Sequence, residues 1–204
     1  MARFFDWFQL AVLGCLACLG IGRALVLRAR GVRVIAIDWQ RTPEHKMGDL
    51  LTVMCLLAWF GETVAQAWPL PIHFVPQPLR TVLMDAAMVK AAGAVMMLAG
   101  LLSYGLALRA LGDSWRGGID RKSPGPLVTC GIYAWTRNPI YASFDLLAAG
   151  TFLMQGRLIF LMLALGLGVM LHIQIRREER FLTGFYGDAY REYCARVGRY
   201  LKWR

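Results

Sequence analysis

Apolar residues in this chain come in long unbroken blocks, separated by polar and basic clusters. Short alternating segments would indicate strands or a membrane barrel, whereas blocks of this length indicate helices that face lipid. The blocks predict spans at Phe8–Leu27, Leu50–Trp68, Val82–Leu108, Ile140–Met154 and Leu158–Ile175. A hydrocarbon layer ~30 Å thick needs about 20 helical residues to cross. The fourth block is shorter, so it is read as paired with the fifth in a helical hairpin turning at Gln155-Gly156-Arg157. After Ile175, Phe181, Leu182, Phe185, Tyr186, Tyr190 and Tyr193 interleave with charges at roughly helical spacing. Two readings of that tail stand: an amphipathic helix lying on the membrane, or a cap over a site between the last helices. The predicted fold class is all-α and integral to the membrane. It has five transmembrane helices, a short helical hairpin and a cytoplasmic C-terminal amphipathic helix.

Composition agrees. The 204 residues are 57% hydrophobic with a mean hydropathy of +0.46, where soluble domains run at about 45–50% apolar. The net charge of +10 would suggest a nucleic-acid partner in a soluble protein. Here the basic residues flank apolar blocks, so topology and anionic lipid headgroups account for them, and no nucleic acid is expected. Arg28, Arg30, Arg33, Arg41 and Lys46 mark the first loop, and Arg109, Arg116, Arg121, Lys122 and Arg137 the third. The tail holds a further basic cluster, and the intervening turns hold only Arg80 and Arg157. Five spans with the N-terminus outside and the C-terminus in the cytoplasm put every basic cluster on one side, in what is read as a bacterial cytoplasmic membrane. Cys15, Cys18 and Cys55 fall in apolar spans and Cys130 and Cys194 in cytoplasmic segments, so no disulfide framework is expected. Glu62 and Lys90 lie at similar depth from the outer ends of the second and third spans, which predicts a pair.

The chain has no P-loop, no G-x-G-x-x-G after a strand, no G-x-S-x-G and no H-E-x-x-H, and His45, His73 and His172 are too scattered for a metal site. Two stretches carry candidate chemistry. Ser123 to Tyr141 is rich in turn residues and aromatics at the mouth of the hairpin, with Arg137 and Asn138 as fixed polar groups. It suits an anionic or aromatic ligand, or equally an interfacial loop anchored by Trp135. His172 and Gln174 are polar positions still inside the last apolar block, and Glu178 and Glu179 follow within one turn. Polar groups at such depth are costly and tend to be functional.

Gly131-Ile-Tyr-Ala-Trp-Thr-Arg-Asn-Pro-Ile-Tyr141, a short hairpin, Glu178-Glu179 and Phe185-Tyr-Gly-Asp-Ala-Tyr190-Arg-Glu-Tyr193 together resemble the isoprenylcysteine carboxyl methyltransferase family. That group is related to membrane phospholipid N-methyltransferases. The resemblance runs from Gly112 to the end. It implies a methyltransferase that uses S-adenosyl-L-methionine on a lipid-linked or small hydrophobic, membrane-partitioning acceptor, with membrane lipids around it. It divides the chain into residues 1–111, a membrane scaffold and acceptor entry, and 112–204, a methyltransferase core of cofactor loop, hairpin and cap. By the same resemblance the cofactor falls to Leu127, Val128, Gly131, Tyr133, Arg137, Asn138, Tyr141, Glu178 and Tyr190. Glu179, Gln174 and His172 are the candidates at the reacting centre. No metal is implied. Many relatives carry histidine where this chain has Asn138, and isoprenylcysteine enzymes often carry arginine where it has Gln174. Glutamine lacks arginine's charge and fork. The alternatives are a phospholipid N-methyltransferase-like enzyme and a non-enzymatic membrane assembly protein.

Overall fold

The computed structural model describes residues 2–32, 43–68, 75–115 and 125–201. The proline-rich residues 69–74 and the basic positions Arg33, Arg41, Arg116, Arg121 and Lys122 of the first and third loops lie outside the described residues. Six α-helices follow in order among the described residues: α1 (Ala2–Ala29), α2 (Pro43–Ala67), α3 (Ala87–Leu111), α4 (Pro139–Gln155), α5 (Leu158–Tyr186) and α6 (Asp188–Arg196). The described residues form no sheet, and one isolated antiparallel bridge joins Val82 to Arg157. Among the described residues four helices are long and apolar enough to cross a membrane: Phe4–Ala29, Met47–Ala67, Ala87–Ser114 and Leu158–Tyr186. The α4 helix, with 17 residues, is shorter.

The third helix begins at Ala87, not Val82, because residues 81–86 are extended and strapped across the α4–α5 turn. The Leu83 N–H donates to the Gly156 carbonyl at 2.6 Å, and the Leu158 N–H donates to the Thr81 carbonyl at 3.0 Å. Gly156 adopts φ +62°, and a Cβ there would strike the Met84 carbonyl. Glycine is the residue that turns this corner under a covering strand.

The most extensive helix contact is between α3 and α4. It is built on absent side chains. A Cβ on Gly93 would lie 2.6 Å from the Gly150 carbonyl oxygen, and one on Gly150 would lie 2.7 Å from that of Gly93. Small residues let backbones approach closely, which is how helices gain packing energy where lipid offers no hydrophobic drive. Met97, Leu147, Phe160 and Leu167 fill the core. Leu25, Val95, Leu102 and Leu165 point outward and exposed, as lipid-facing residues do.

Glu62 and Lys90 do not pair. The α2 helix packs chiefly on α1 and α5, and α3 on α1 and α4, so the two do not share a seam. Lys90 pairs with Asp85 at the head of its own helix. Glu62 is fully buried and accepts from Gln66 Nε2 at 2.8 Å. It joins a polar seam at that end of the bundle. Gln155 Nε2 donates to Asp6 Oδ1 and Gln9 Oε1, each at 3.0 Å, and Gln9 Nε2 donates to Thr63 Oγ1 at 3.1 Å. Arg157 lies in the field of Glu62, Asp6 and Arg80. At the other end, Asp113 after α3 accepts from Arg30 at 2.9 Å and from Arg23 at 3.3 Å, both on α1.

The tail is a cap. Helix α5 runs unbroken to Tyr186, well past the predicted end at Ile175, and Gly187 at φ +58° turns the chain into α6. Tyr190 and Tyr193 on α6 are buried, while Arg191, Glu192 and Arg196 face out.

Candidate active site

The loop before α4 is folded by contacts from the last two helices. Tyr186 Oη donates to the Gly125 carbonyl at 2.6 Å and Tyr193 Oη to the Tyr133 carbonyl at 2.7 Å. Gly131, at φ +62°, opens a single tight turn over Gly131–Ala134 that buries Tyr133. Pro139 then starts α4, where its missing N–H costs nothing.

Behind the loop the chain's end comes back. The Arg137 N–H donates to the Gly198 carbonyl at 3.1 Å, and Thr136 Oγ1 donates to the Arg199 carbonyl at 3.1 Å. The centre of this knot is Glu179, which is buried. Its Oε1 accepts from Asn138 Nδ2 at 3.2 Å and lies 3.1 Å from an Arg137 terminal nitrogen. Its Oε2 accepts from Arg199 Nε at 2.9 Å and from an Arg199 terminal nitrogen at 2.7 Å. The hydrogen bonds to Glu179 hold the Arg199 guanidinium firmly charged, its pKa raised above the usual arginine value. One carboxylate thus fixes the cofactor-loop candidate Arg137, the loop's last residue before α4, and the chain's C-terminal segment.

In front of the loop is a cavity of about 330 Å³. The loop supplies Leu127, Val128, Tyr133, Arg137 and Asn138, and α4 adds Tyr141 and Phe144. Helix α5 contributes Glu178, Phe181, Leu182 and Tyr186, and α6 contributes Tyr190 and Tyr193. Tyr104 and Leu111 of α3 with Ser114 and Trp115 close the far wall. Tyr141 Oη donates to Glu178 Oε2 at 2.7 Å. The Arg137 Nε is buried without a hydrogen-bond partner. Burial first, then the Glu178 charge, raises the Tyr133 pKa well above the ordinary phenol value. Burial likewise pushes Tyr193 up to about 12. These rings therefore stay neutral, as hydrogen-bond donors with polarizable faces. An electron-rich wall with one carboxylate suits a cation, and a buried guanidinium with a spare donor suits a carboxylate.

Eight of the cofactor positions named from the sequence line this cavity: Leu127, Val128, Tyr133, Arg137, Asn138, Tyr141, Glu178 and Tyr190. Gly131 shapes the turn beneath them. Glu179 stands behind the loop. His172 lies one stripe away, its Nδ1 at 2.7 Å from Tyr200 Oη. Gln174 lines a second cavity, between α2 and α5. Phe181, Leu182 and Tyr186 follow Glu178 at spacings of three, four and eight residues, a helical face visible in the sequence. Tyr104, Trp115 and Phe144 come from distant segments and leave no local signal. Arg199 carried none either.

A family model for phospholipid methyltransferases matches residues 86–189, just over half of the chain. The chain belongs to that family. The match takes in α3, α4 and α5, the helices that surround the cavity, and part of the cap. The protein-S-isoprenylcysteine O-methyltransferase of Schizosaccharomyces pombe is 39% identical over 72 residues, covering 35% of this chain and 30% of that protein. The enzyme of the same name from Saccharomyces cerevisiae is 30% identical over 109 residues, covering 52% and 46%. The chain thus spans less than half the length of these curated relatives. A solved structure of the eukaryotic intramembrane Ras methyltransferase, isoprenylcysteine carboxyl methyltransferase, superposes with a TM-score of 0.52 at 19% identity. It covers 82% of this chain and 55% of that one. The resemblance read from the loop and tail motifs is the one these comparisons find. With its four long apolar helices and the fold of an intramembrane protein, the chain is an integral membrane protein.

Proposed function

We propose that this protein is an S-adenosylmethionine-dependent methyltransferase acting on a prenylated, membrane-partitioning acceptor, as its isoprenylcysteine relatives are named for doing. The observation that carries the reading is the cavity wall itself. It combines Arg137, with one buried donor unspent, the Glu178 carboxylate and a set of neutral tyrosines. S-adenosylmethionine presents a carboxylate, a sulfonium and an adenine ring, and each has a counterpart here. Arg137 would take the carboxylate through its free Nε. Glu178 and the tyrosine faces suit the positive charge, and the aromatic and aliphatic wall suits the adenine. When bound, the cofactor would supply an activated methyl group for an acceptor carboxylate oxygen, with Arg137, Glu178 and the tyrosines holding it in place.

The protein's share of the work is positioning. No proton moves when the acceptor is already a carboxylate, so no general base is required. Holding the two reactants in line is worth several kcal/mol. The Glu179 knot keeps the loop in place, and the tyrosines and Trp115 exclude water. The family model's own name and the neutral Gln174 favour a second reading, in which a phospholipid amine is the acceptor.

The test uses the full chain in lipid nanodiscs. S-adenosylmethionine is expected to bind, and Arg137→Ala and Tyr141→Ala are each expected to weaken it roughly tenfold, the loss of a hydrogen bond to a charged or buried group. Labelled methyl should pass to N-acetyl-S-farnesylcysteine. Transfer to phosphatidylethanolamine alone would establish the second reading. Unchanged calorimetric affinity in both variants would remove the cavity from consideration.

A further inference from the structure

Two arginines share one carboxylate behind the loop. Glu179 Oε1 lies 3.1 Å from an Arg137 terminal nitrogen, while Oε2 accepts from Arg199 Nε at 2.9 Å and from an Arg199 terminal nitrogen at 2.7 Å. Two cations against one carboxylate leave this knot with a positive charge in excess. Glu178, the neighbouring carboxylate, is turned the other way, toward the Tyr141 hydroxyl. The Arg137 side chain is nearly buried, and its Nε has no hydrogen-bond partner among the described residues. A guanidinium with an unspent donor, beside an excess of positive charge, is complementary to an anion. Arg137 lines the cofactor cavity, whereas Glu179 and Arg199 stand outside its lining.

Arg199 is held in place from both sides in sequence. Its own carbonyl accepts from Thr136 Oγ1 and from Asn138 Nδ2, each at 3.1 Å, and the Gly198 carbonyl accepts from the Arg137 N–H at 3.1 Å. Tyr200 is clasped by His172, whose Nδ1 is 2.7 Å from the phenol oxygen, with the two rings stacked at 18°. Val197 is buried with Tyr190 and Tyr193. These contacts aim the Arg199 side chain at Glu179.

The consequence appears when Arg199 is taken away. Glu179 Oε2 becomes a buried charged acceptor without a donor, which is costly. Arg137 already sits on the other oxygen, and a guanidinium meets a carboxylate best through two parallel N–H bonds. Arg137 then closes on Glu179 as a neutral pair and loses its pull on a third group. Resting on the methyltransferase reading above, we propose that Arg199 is a positioning residue for the cofactor. By occupying one oxygen of Glu179 it keeps Arg137 from closing on that carboxylate, and so leaves the charge and free donor of Arg137 to the carboxylate of S-adenosylmethionine. Arg199 itself touches no part of the cofactor.

The experiment compares two ligands that differ only in that carboxylate: S-adenosylmethionine, and decarboxylated S-adenosylmethionine, which keeps the adenosine, the sulfonium and the amine. Both affinities are measured by calorimetry on the full chain in nanodiscs of neutral phosphatidylcholine. Arg199→Gln is expected to weaken S-adenosylmethionine roughly tenfold and to leave the decarboxylated form within about twofold. Arg199→Lys, which keeps a charge on Oε2, should recover most of the loss. Glu179→Gln added to Arg199→Gln should recover it too, because a neutral amide no longer draws Arg137 away. Arg196→Gln, on the exposed face of α6, should change neither ligand. Equal weakening of both ligands by Arg199→Gln would make Arg199 a brace for the loop and overturn the proposal. Unchanged S-adenosylmethionine binding in that variant, or no recovery in either second variant, would overturn it as well. In each of those cases the cofactor reading survives. Failure of the unaltered protein to bind S-adenosylmethionine would overturn that reading, and the proposal with it.

Discussion

Glu178 and Glu179 are neighbours in sequence with different duties, because consecutive helical residues point about 100° apart. Glu178 faces the cavity and takes the Tyr141 hydroxyl. Glu179 faces the loop and binds Arg137, Asn138 and Arg199 at once. Removing one partner from a buried charged network costs about 3–5 kcal/mol, because the charges left behind have no counterion. Glu179→Ala is therefore expected to lower the thermal midpoint in detergent markedly and to free the chain after Val197 for proteolysis. Glu178→Ala should leave both nearly unchanged, since it strands only one hydroxyl. Similar midpoints for the two variants would contradict this division. The resemblance assigned Glu178 to the cofactor and Glu179 to the reacting centre, and nothing in the sequence placed Glu179 behind the loop among Arg137, Asn138 and Arg199. Their orientation follows from where α5 meets the loop, and the partner Arg199 is twenty positions away in a segment with no pattern of its own. The expected Glu62–Lys90 pair failed for a related reason. Equal depth in two spans says nothing of which helices are neighbours, and here α1 and α5, not α3, cover α2.

The helices themselves were largely legible, since block hydrophobicity is a strong signal and the blocks are long. What the pattern missed lies at their ends. Residues 82–86 are apolar but for Asp85 and read as helix, yet a strap hydrogen-bonded to Gly156 is the better use of them once α4 and α5 turn beneath. The glycines that set the α3–α4 distance were equally silent, because a glycine in an apolar run looks the same whether it meets a helix or lipid. The contrast can be measured. Gly150→Ala pushes a Cβ to within 2.7 Å of the Gly93 carbonyl oxygen, and backbone cannot step aside as a side chain can. Overpacking of this sort costs about 1–3 kcal/mol. It should also spread α4 from α3 where Tyr104 and Phe144, 5.9 Å apart edge to face, form a wall of the cavity. A lower midpoint and weaker S-adenosylmethionine binding are expected together. Gly166→Ala on α5 meets nothing within 4 Å and should be neutral or slightly stabilising, by helix propensity. If the two alanines behave alike, close approach is not what the α3 and α4 glycines provide.

How many times the chain crosses the membrane turns on α4. Its 17 residues reach only ~25 Å at ~1.5 Å per residue, against a hydrocarbon layer of ~30 Å. Its path nonetheless runs from one end of the bundle to the other. Pro139 is at the end of the bundle that holds the loop before α4, and Gly156 is at the end where residues 81–84 strap the turn. Between them α4 runs antiparallel along α3, with Gly150 against Gly93 near one end and Ser143 against Gly100 toward the other. Ser143, Leu147, Ala148, Gly150, Thr151 and Met154 are all buried in protein. A helix so enclosed need not match the lipid, because non-helical backbone beyond its ends is tolerated where protein covers it. Charge agrees in direction: Arg23, Arg30, Arg109, Arg137 and Arg199 gather toward the loop end, while Arg80, Lys90 and Arg157 lie toward the other. The proposed topology is five crossings with the loop end in the cytoplasm and the strap outside. Two exposed positions test it. Gln77 sits in the tight turn before the strap, and native Cys130 sits in the loop before α4. In a chain whose other four cysteines are changed to alanine, an impermeant maleimide should label Gln77→Cys in intact cells. Cys130 should label only after the membrane is opened. Labelling of Cys130 from outside would invert the orientation, and labelling of both from one side would remove a crossing between them.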